Sequence, residues 1–388
     1  MSEKPHAIVI GAGFTGCAVA HDLALRGFSA TVLERGEITS GTSGRTHGLL
    51  HSGGRYCVTD QESAVECIVE NRILRKIVGQ CIEPNGGFFV ALNEKDLEYA
   101  PAFEQGAQDC GIEIEKLAIA SALKLEPHLN PHVLAVYTVP DGTFDPLRLA
   151  LAFAATARRR GVKFCPYHEV KNMLMDSQGN VIGVEAWDRT RNQTYALRGD
   201  IVINATGAWA GEIVKMAGVD TMPVIPTPGV MVAYDQRLIN RTINRLCPPA
   251  DGDILLPQRR MMCIGTTSFE VVDPDYIPVL ADQVQLMNEC AQALVPGVKD
   301  CNMRGAWMSA RPLVAFGESG RSLARTFKCF DHQSIHGIGG LVTITGGKAT
   351  TCRAMAEKTV DVVCEKMGIQ AACMTADLPL DSYRTFYQ

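Results

Sequence analysis

The stretch Ala7-Ile8-Val9-Ile10-Gly11-Ala12-Gly13-Phe14-Thr15-Gly16 sets an apolar run directly against a Gly-x-Gly-x-x-Gly spacing. The run predicts a short buried strand, and the residues after it a helix from about Cys17 to Arg26 with Gly27 as its C-cap. Ser29 to Leu33 predicts a second strand, ending at Glu34. In such a βαβ opening each glycine has a task. Gly11 allows the tight turn, Gly13 lets a pyrophosphate approach the backbone, and Gly16 lets helix and strand pack closely. The helix N-terminus favours anionic phosphates. Glu34 stands 18 residues after Gly16, close to the ~20 expected of an acid that binds ribose. The competing reading, a glycine-rich turn that binds nothing, leaves that placement of Glu34 unexplained. The same glycines argue against a secretory signal in the apolar stretch Ile8 to Ala20, although it ends in a cleavage-like Ala18-Val19-Ala20.

The glycine fingerprint does not separate NAD from FAD, but two later segments favour FAD. Thr39 to Gly48 follows the second strand and is built of small residues, which admit the backbone of a long, extended cofactor. A solvent loop is the alternative there. Gly346-Gly347-Lys348-Ala349-Thr350 joins a predicted strand, Leu341 to Thr345, to a helix ending near Met367. That second helix N-terminus suits the electron-rich end of a reduced flavin. Between them, Asp200 to Gly207 is an apolar strand closing on Ala205, Thr206 and Gly207. Sites so far apart in the chain are what a large dinucleotide needs.

Composition narrows the class. The 388 residues are 46% hydrophobic with a net charge of −5, which excludes a disordered chain and argues against a nucleic-acid partner. The length predicts two or three domain-sized units. Fourteen cysteines lack any Cys-x-x-Cys spacing and read as reduced thiols of a cytoplasmic protein rather than as disulfides, a zinc site or an iron–sulfur cluster. The pairs His128/His132 and His332/His336 share a ligand-like spacing, but metal binding would need a continuous helix, whereas Pro131 interrupts the first pair and Gly337 to Gly340 follow the second; no metal is expected. No apolar run is long enough to span a bilayer. Peripheral contact with the inner face of the cell membrane stays open.

Elsewhere, Glu62 to Val78 predicts a helix with an apolar stripe of Val65, Ile68, Val69, Ile73 and Ile77. Asp145 caps a helix with Pro146 at its first position, ending at Arg158-Arg159-Arg160-Gly161. Lys163 to Asn204 holds three or four short strands, and Gln258-Arg259-Arg260 a hairpin tip. The expected organisation is a discontinuous FAD-binding domain of residues 1–80, 141–220 and 325–388, with a substrate domain of 81–140 and 221–324.

Taken with Gly41–Tyr56 (GTSGRTHGLLHSGGRY), Val139–Pro146 (VPDGTFDP), Ile264–Ser268 (IGTTS), Ala310–Val314 (ARPLV) and Ile344–Arg353 (ITGGKATTCR), the chain resembles the FAD-dependent glycerol-3-phosphate dehydrogenases, most closely the catalytic subunit of the anaerobic type. The resemblance covers nearly the whole chain. It implies an α/β fold: a Rossmann-like, p-hydroxybenzoate-hydroxylase-like FAD domain with an inserted antiparallel β-rich substrate domain. It implies oxidation of a secondary alcohol by hydride transfer to flavin N5, and a small phosphorylated polyol as substrate. It also places Arg55 and Tyr56 at the substrate pocket and Arg311 and Lys348 on the substrate phosphate.

The residues support this independently. A dianionic phosphate needs two or more cations, and arginine offers a fork. Lys348 opposes a helix dipole, which suggests an anion nearby. Salt bridges are the alternative for Arg55 and Arg311. For the hydroxyl proton, His51 is preferred over His47 because His51-Ser52-Gly53-Gly54-Arg55-Tyr56 runs into the pocket; packing against the flavin is the alternative. The catalytic set is thus His51, Arg55 and Arg311. The cofactor set adds to the glycines Phe14, Thr15, Glu34, Arg35, Thr42, Ser43, His47, Gly48, Leu49, Val170, Ala205, Thr206, Gly207 and Trp209. At the far end it takes in Gly346, Gly347, Lys348, Ala349 and Thr350.

The family pattern is not fully matched. Anaerobic catalytic subunits continue into a cysteine-bearing C-terminal domain that is not expected in this chain, which reaches Gln388. Pro228-Gly229-Val230 lacks the histidine that single-chain members carry in the substrate domain. The electron acceptor, a quinone or a partner subunit, therefore stays open. So do the alternatives of another polyol phosphate, a 2-hydroxy acid, or a subunit that only relays electrons.

Overall fold

A computed structural model describes residues 4–315 and 326–388. The opening run forms the strand His6–Ile10, whose last four residues are buried. It lies inside a six-stranded sheet in the order Phe327–Asp331, Leu341–Gly346, Ile201–Asn204, His6–Ile10, Ser29–Glu34, Lys163–Pro166. The inner pairings are parallel and only the Phe327–Asp331 edge is antiparallel. Buried on both faces, these strands read as continuous apolar runs. The helix begins earlier than expected, at Phe14, with Gly13 as its N-cap, and ends at Leu25. Gly27, at φ +90°, follows its C-cap Arg26. The helix Pro146–Arg159 packs beside it, capped by the Asp145 carboxylate, which accepts from the Arg148 N–H.

A second, eight-stranded sheet draws all its strands from 87–139 and 224–314. It is antiparallel except at its centre, where Thr242–Arg245 runs parallel to Gly87–Ala91. Its longest pairing joins Val224–Tyr234 to Met303–Val314. Gln258 and Met261 flank the expected hairpin tip, with Arg259 at φ +55°. Five strands, rather than three or four, lie between Lys163 and Asn204, and three of them form a separate small sheet. The α/β class and the largely antiparallel second sheet meet the expectation. The expected domain boundary at 324/325 lies outside the described residues.

One helix turns a different face inward than its apolar residues predict. In Gln61–Val78, Val65 and Val69 are exposed, whereas Glu70 and Asn71 are buried with Ala64, Cys67, Ile68, Leu74 and Ile77. Buried hydrogen bonding joins apolar packing in setting this rotation: Glu70 receives the Arg353 guanidinium and Asn71 reaches the carbonyls of Leu50 and His51. All fourteen cysteines are free thiols. Among the described residues no helix is long and apolar enough to cross a membrane, and no group of three or more metal-ligand side chains gathers. His332 and His336 do meet on one short helical turn, Nδ1 to Nδ1 at 3.1 Å.

Candidate active site

Where the ends of the parallel strands face the second sheet, a cavity of about 1350 Å³ opens. Its first wall is the glycine turn. Gly11 sits at φ +100°, and a Cβ there would lie 2.8 Å from the Ala205 carbonyl oxygen. At Gly13 a Cβ would lie 2.8 Å from Ser43 Oγ, which itself accepts from the Phe14 N–H at 3.0 Å. Gly16 packs away from the cavity, where a Cβ would come within 1.9 Å of the Gly11 carbonyl. The Glu34 carboxylate braces the turn, accepting from the Ala12 N–H at 2.9 Å and the Gly36 N–H at 2.8 Å.

The loop after the second strand is stitched to the second sheet. Thr42 Oγ1 donates to the Ala310 carbonyl at 2.6 Å, Trp307 Nε1 to the Arg45 carbonyl at 2.8 Å, and Gln258 Nε2 to the His47 carbonyl at 2.6 Å. The far end of the cavity holds a row of rings. His47 and His51 lie 6.4 Å apart between centroids, His51 and Tyr56 5.5 Å, and Lys348 Nζ stands 4.9 Å from the Tyr56 ring centroid. His47 Nδ1 accepts from the Leu49 N–H at 3.1 Å. Burial, reinforced by the charges of Arg55 and Arg311, lowers its pKa to about 4, so it is neutral at pH 7.

The two arginines are anchored differently. Arg55 pairs with the buried carboxylate of Asp253 and donates to the Ala250 carbonyl at 3.2 Å. Arg311 donates from Nε to the Thr227 carbonyl at 3.0 Å, from Nη1 to Thr266 Oγ1 at 2.9 Å, and from Nη2 to the Thr267 carbonyl and Ser268 Oγ. The Ile264–Ser268 stretch thus serves as a cradle for that guanidinium.

The cavity wall brings together Gly11, Gly13, Phe14, Thr15, Glu34, Arg35, Thr42, Ser43, His47, Leu49, His51, Arg55, Tyr56, Val170, Ala205, Thr206, Gly207, Trp209, Arg311, Gly346, Gly347, Lys348 and Ala349. Three expected cofactor residues stand elsewhere. Gly16 packs helix against turn. Gly48 faces the hairpin, where a Cβ would meet Gln258 Nε2 at 2.2 Å. Thr350 is fully buried, and its Oγ1 accepts from the His51 N–H at 3.1 Å. Arg35 lies at the rim, paired with Asp275 and stacked 4.6 Å over Trp209. No motif points to Asp253, Asp275 or Gln258, which touch these groups from loops and a hairpin of the second sheet. Asp141, whose Oδ1 accepts from the Ser52 N–H next to His51, does have a signal, since it lies inside the family-like Val139–Pro146 stretch.

The family model for FAD-dependent oxidoreductases of the DAO type matches residues 6–359. The chain belongs to this family. Proteins of similar sequence include subunit A1 of the anaerobic glycerol-3-phosphate dehydrogenase of Haloferax volcanii, 42% identical over 399 residues, covering 100% of this chain and 68% of that protein. The corresponding component of the Escherichia coli K12 enzyme is 39% identical over 383 residues, covering 98% and 70%. Among solved structures, L-α-glycerophosphate oxidase from Mycoplasma pneumoniae with FAD bound superposes with a TM-score of 0.77 at 19% identity, covering 98% and 99%. Glycerol-3-phosphate dehydrogenase from Bacillus halodurans complexed with FAD gives 0.75 at 23%, covering 98% and 68%. At those identities the structures speak for the fold.

This FAD-dependent oxidoreductase has a cavity that fits its cofactor. Gly11 and Gly13 put bare backbone on the wall, in a turn so tight that a Cβ would collide with Ala205 or Ser43. Glu34 ends its strand at the wall. Trp209 Nε1 is a buried donor with no partner among the described residues, in the same wall; an orphaned donor of that kind calls for an acceptor from the ligand.

Proposed function

We propose that this oxidoreductase converts sn-glycerol 3-phosphate to dihydroxyacetone phosphate. The observation that carries the proposal is the far end of the cavity, where Arg55, Arg311 and Lys348 line the same wall as His51 and Tyr56. Three cations suit a phosphate dianion, and a histidine beside them suits the adjoining hydroxyl. The relatives named as glycerol-3-phosphate dehydrogenases support the same substrate.

Bound FAD supplies the hydride acceptor. The protein does the rest. Lys348 and Arg311, with Arg55 beside them, hold the phosphate and so fix which carbon faces the cofactor. The Tyr56 ring, packed against both Lys348 and His51, sets the distance between phosphate and base. The His51 imidazole takes the proton from the C2 hydroxyl as hydride leaves C2, so that a C=O bond forms without an alkoxide building up. His47 does not compete, because its Nδ1 already accepts the Leu49 N–H. We further propose that the electrons pass to a partner subunit or a quinone, and that the protein works at the cytoplasmic face of the membrane. The naming of its relatives as subunits supports the former.

Anaerobic bleaching of the flavin tests the reaction. Glycerol 3-phosphate should reduce it and 2-hydroxy acids should not; the reverse result overturns the proposal. Lys348→Ala should raise KM more for glycerol 3-phosphate than for glycerol, and equal effects would remove the lysine from the phosphate site.

A further inference from the structure

The strand Leu49–Leu50 stops just before His51, and the chain then turns through Gly53 at φ +96°. Past Leu50 the backbone leaves its ladder while still inside the protein, and Ser52 is fully buried. Buried N–H and C=O groups without a strand partner need side chains to receive them. Three side chains from three distant parts of the chain converge on this one place. Thr350 Oγ1 accepts from the His51 N–H at 3.1 Å. Asn71 Nδ2 donates to the His51 carbonyl at 3.1 Å. Asp141 Oδ1 accepts from the Ser52 N–H at 2.7 Å.

Each of the three is itself oriented. Asn71 Oδ1 accepts from Arg75 Nε at 2.7 Å, which fixes which end of the amide faces His51. The same Arg75 donates through Nη2 to the Asp141 carbonyl at 2.7 Å, and Asn244 Nδ2 donates to Asp141 Oδ2 at 3.0 Å. Thr350 sits in the turn Ala349–Thr351 that carries Lys348 into the cavity. Asn71, Asp141 and Thr350 are all at most 3% exposed, and none of them lines the cavity. They touch neither cofactor nor substrate space, yet they hold both flanks of the residue that does.

We infer that Asn71, Asp141 and Thr350 are positioning residues that hold His51 in register with the substrate hydroxyl. The inference rests on the role of His51 given above and extends it. The peptide of the base is clamped at its N–H, its C=O and the next N–H, so its imidazole has only its own rotamer left to vary. Through the Thr350 turn the clamp also ties the base to Lys348, which makes the spacing between proton acceptor and phosphate site a property of the fold. A misplacement of about 1 Å in such a group costs on the order of 100-fold in rate.

Thr350→Val tests this in the holoenzyme, because it replaces the hydroxyl by a methyl of the same size. The expected result is a fall of ~10–100-fold in the rate of flavin reduction by glycerol 3-phosphate. KM should change little, FAD content should stay complete, and Thr350→Ser should recover the rate. The ring signal of His51 in histidine-labelled protein, identified by its loss in His51→Gln, should move in Thr350→Val and return in Thr350→Ser. An unmoved signal with an unchanged rate overturns the inference, as does a rise in KM that accounts for the whole loss. Asp141→Asn adds a second reading, since its amide would face the Asn244 amide; if it does not fold, the Thr350 pair decides. Should glycerol 3-phosphate fail to reduce the wild-type flavin, the proposed substrate falls, and the His51 signal still decides the clamp.

Discussion

Asp253→Ala separates an arginine that only holds the fold together from one that also waits for a ligand. The Asp253 side chain is 2% exposed and that of Arg55 15%. Asp253 Oδ2 takes both the Arg55 guanidinium and the Ala250 N–H, at 2.9 Å for the latter. Without the carboxylate, Arg55 keeps the Ala250 carbonyl at 3.2 Å among its described partners. Breaking one side of a buried pair costs about 3–5 kcal/mol, because the remaining charge is left uncompensated. That loss lies within the ~5–15 kcal/mol by which folded domains are stable, so the variant should fold. A phosphate dianion beside Arg55 would return part of the lost counter-charge. Urea unfolding of the holoenzyme, followed by tryptophan fluorescence, measures both effects. The gap between wild type and variant should narrow by at least ~1.4 kcal/mol with saturating inorganic phosphate, which corresponds to a tenfold tighter Kd in the variant. An identical gap with and without phosphate, or weaker phosphate binding by the variant, would refute the reasoning and leave Arg55 as a purely internal ion pair.

Two other perturbations have signs set by the structure. Gly16→Ala places a Cβ 1.9 Å from the Gly11 carbonyl oxygen, where backbone must move; overpacking of this kind costs ~1–3 kcal/mol or more. The protein should purify colourless, whereas Gly211→Ala, with open space around its Cβ, should keep its FAD. His21→Phe addresses acid stability. Burial lowers the His21 pKa to about 4, and neither ring nitrogen has a partner among the described residues. The folded state therefore binds the proton more weakly than the unfolded chain, and stability is lost as pH falls from 6.5 towards 4. Relative to wild type, His21→Phe should gain about 2 kcal/mol between pH 7.5 and pH 5. An equal stability difference at both pH values would show that His21 titrates normally.

The cofactor half of the site is legible in the sequence because phosphate binding constrains backbone, and backbone constraints surface as glycines at fixed spacing. Gly11, Gly13 and the placement of Glu34 need no side-chain geometry to interpret. The substrate half is legible mainly through family resemblance, since nothing near Arg55 in sequence points to Asp253. The helix Gln61–Val78 shows where periodicity fails. Its inward face includes Glu70 and Asn71, which an apolar count discards, so that count puts Val65 and Val69 in the core in their place. Thr350 departs from expectation for a related reason. Its neighbours Gly347, Lys348 and Ala349 line the cavity, but the turn Ala349–Thr351 rotates its hydroxyl to the backbone of His51.

The parallel junction in the second sheet has a kinetic consequence. Gly87–Ala91 finds an antiparallel neighbour soon, in Ala135–Val139, but its other edge waits for Thr242–Arg245. At roughly 5–20 residues per second of synthesis, the intervening chain takes on the order of 10–30 s to emerge. For that time Phe88 and Val90, fully buried in the finished protein, belong to an open strand edge. That edge stays open while the nascent protein is between a quarter and two thirds made. Slower translation lengthens that interval, and a chaperone that covers strand edges would act within it.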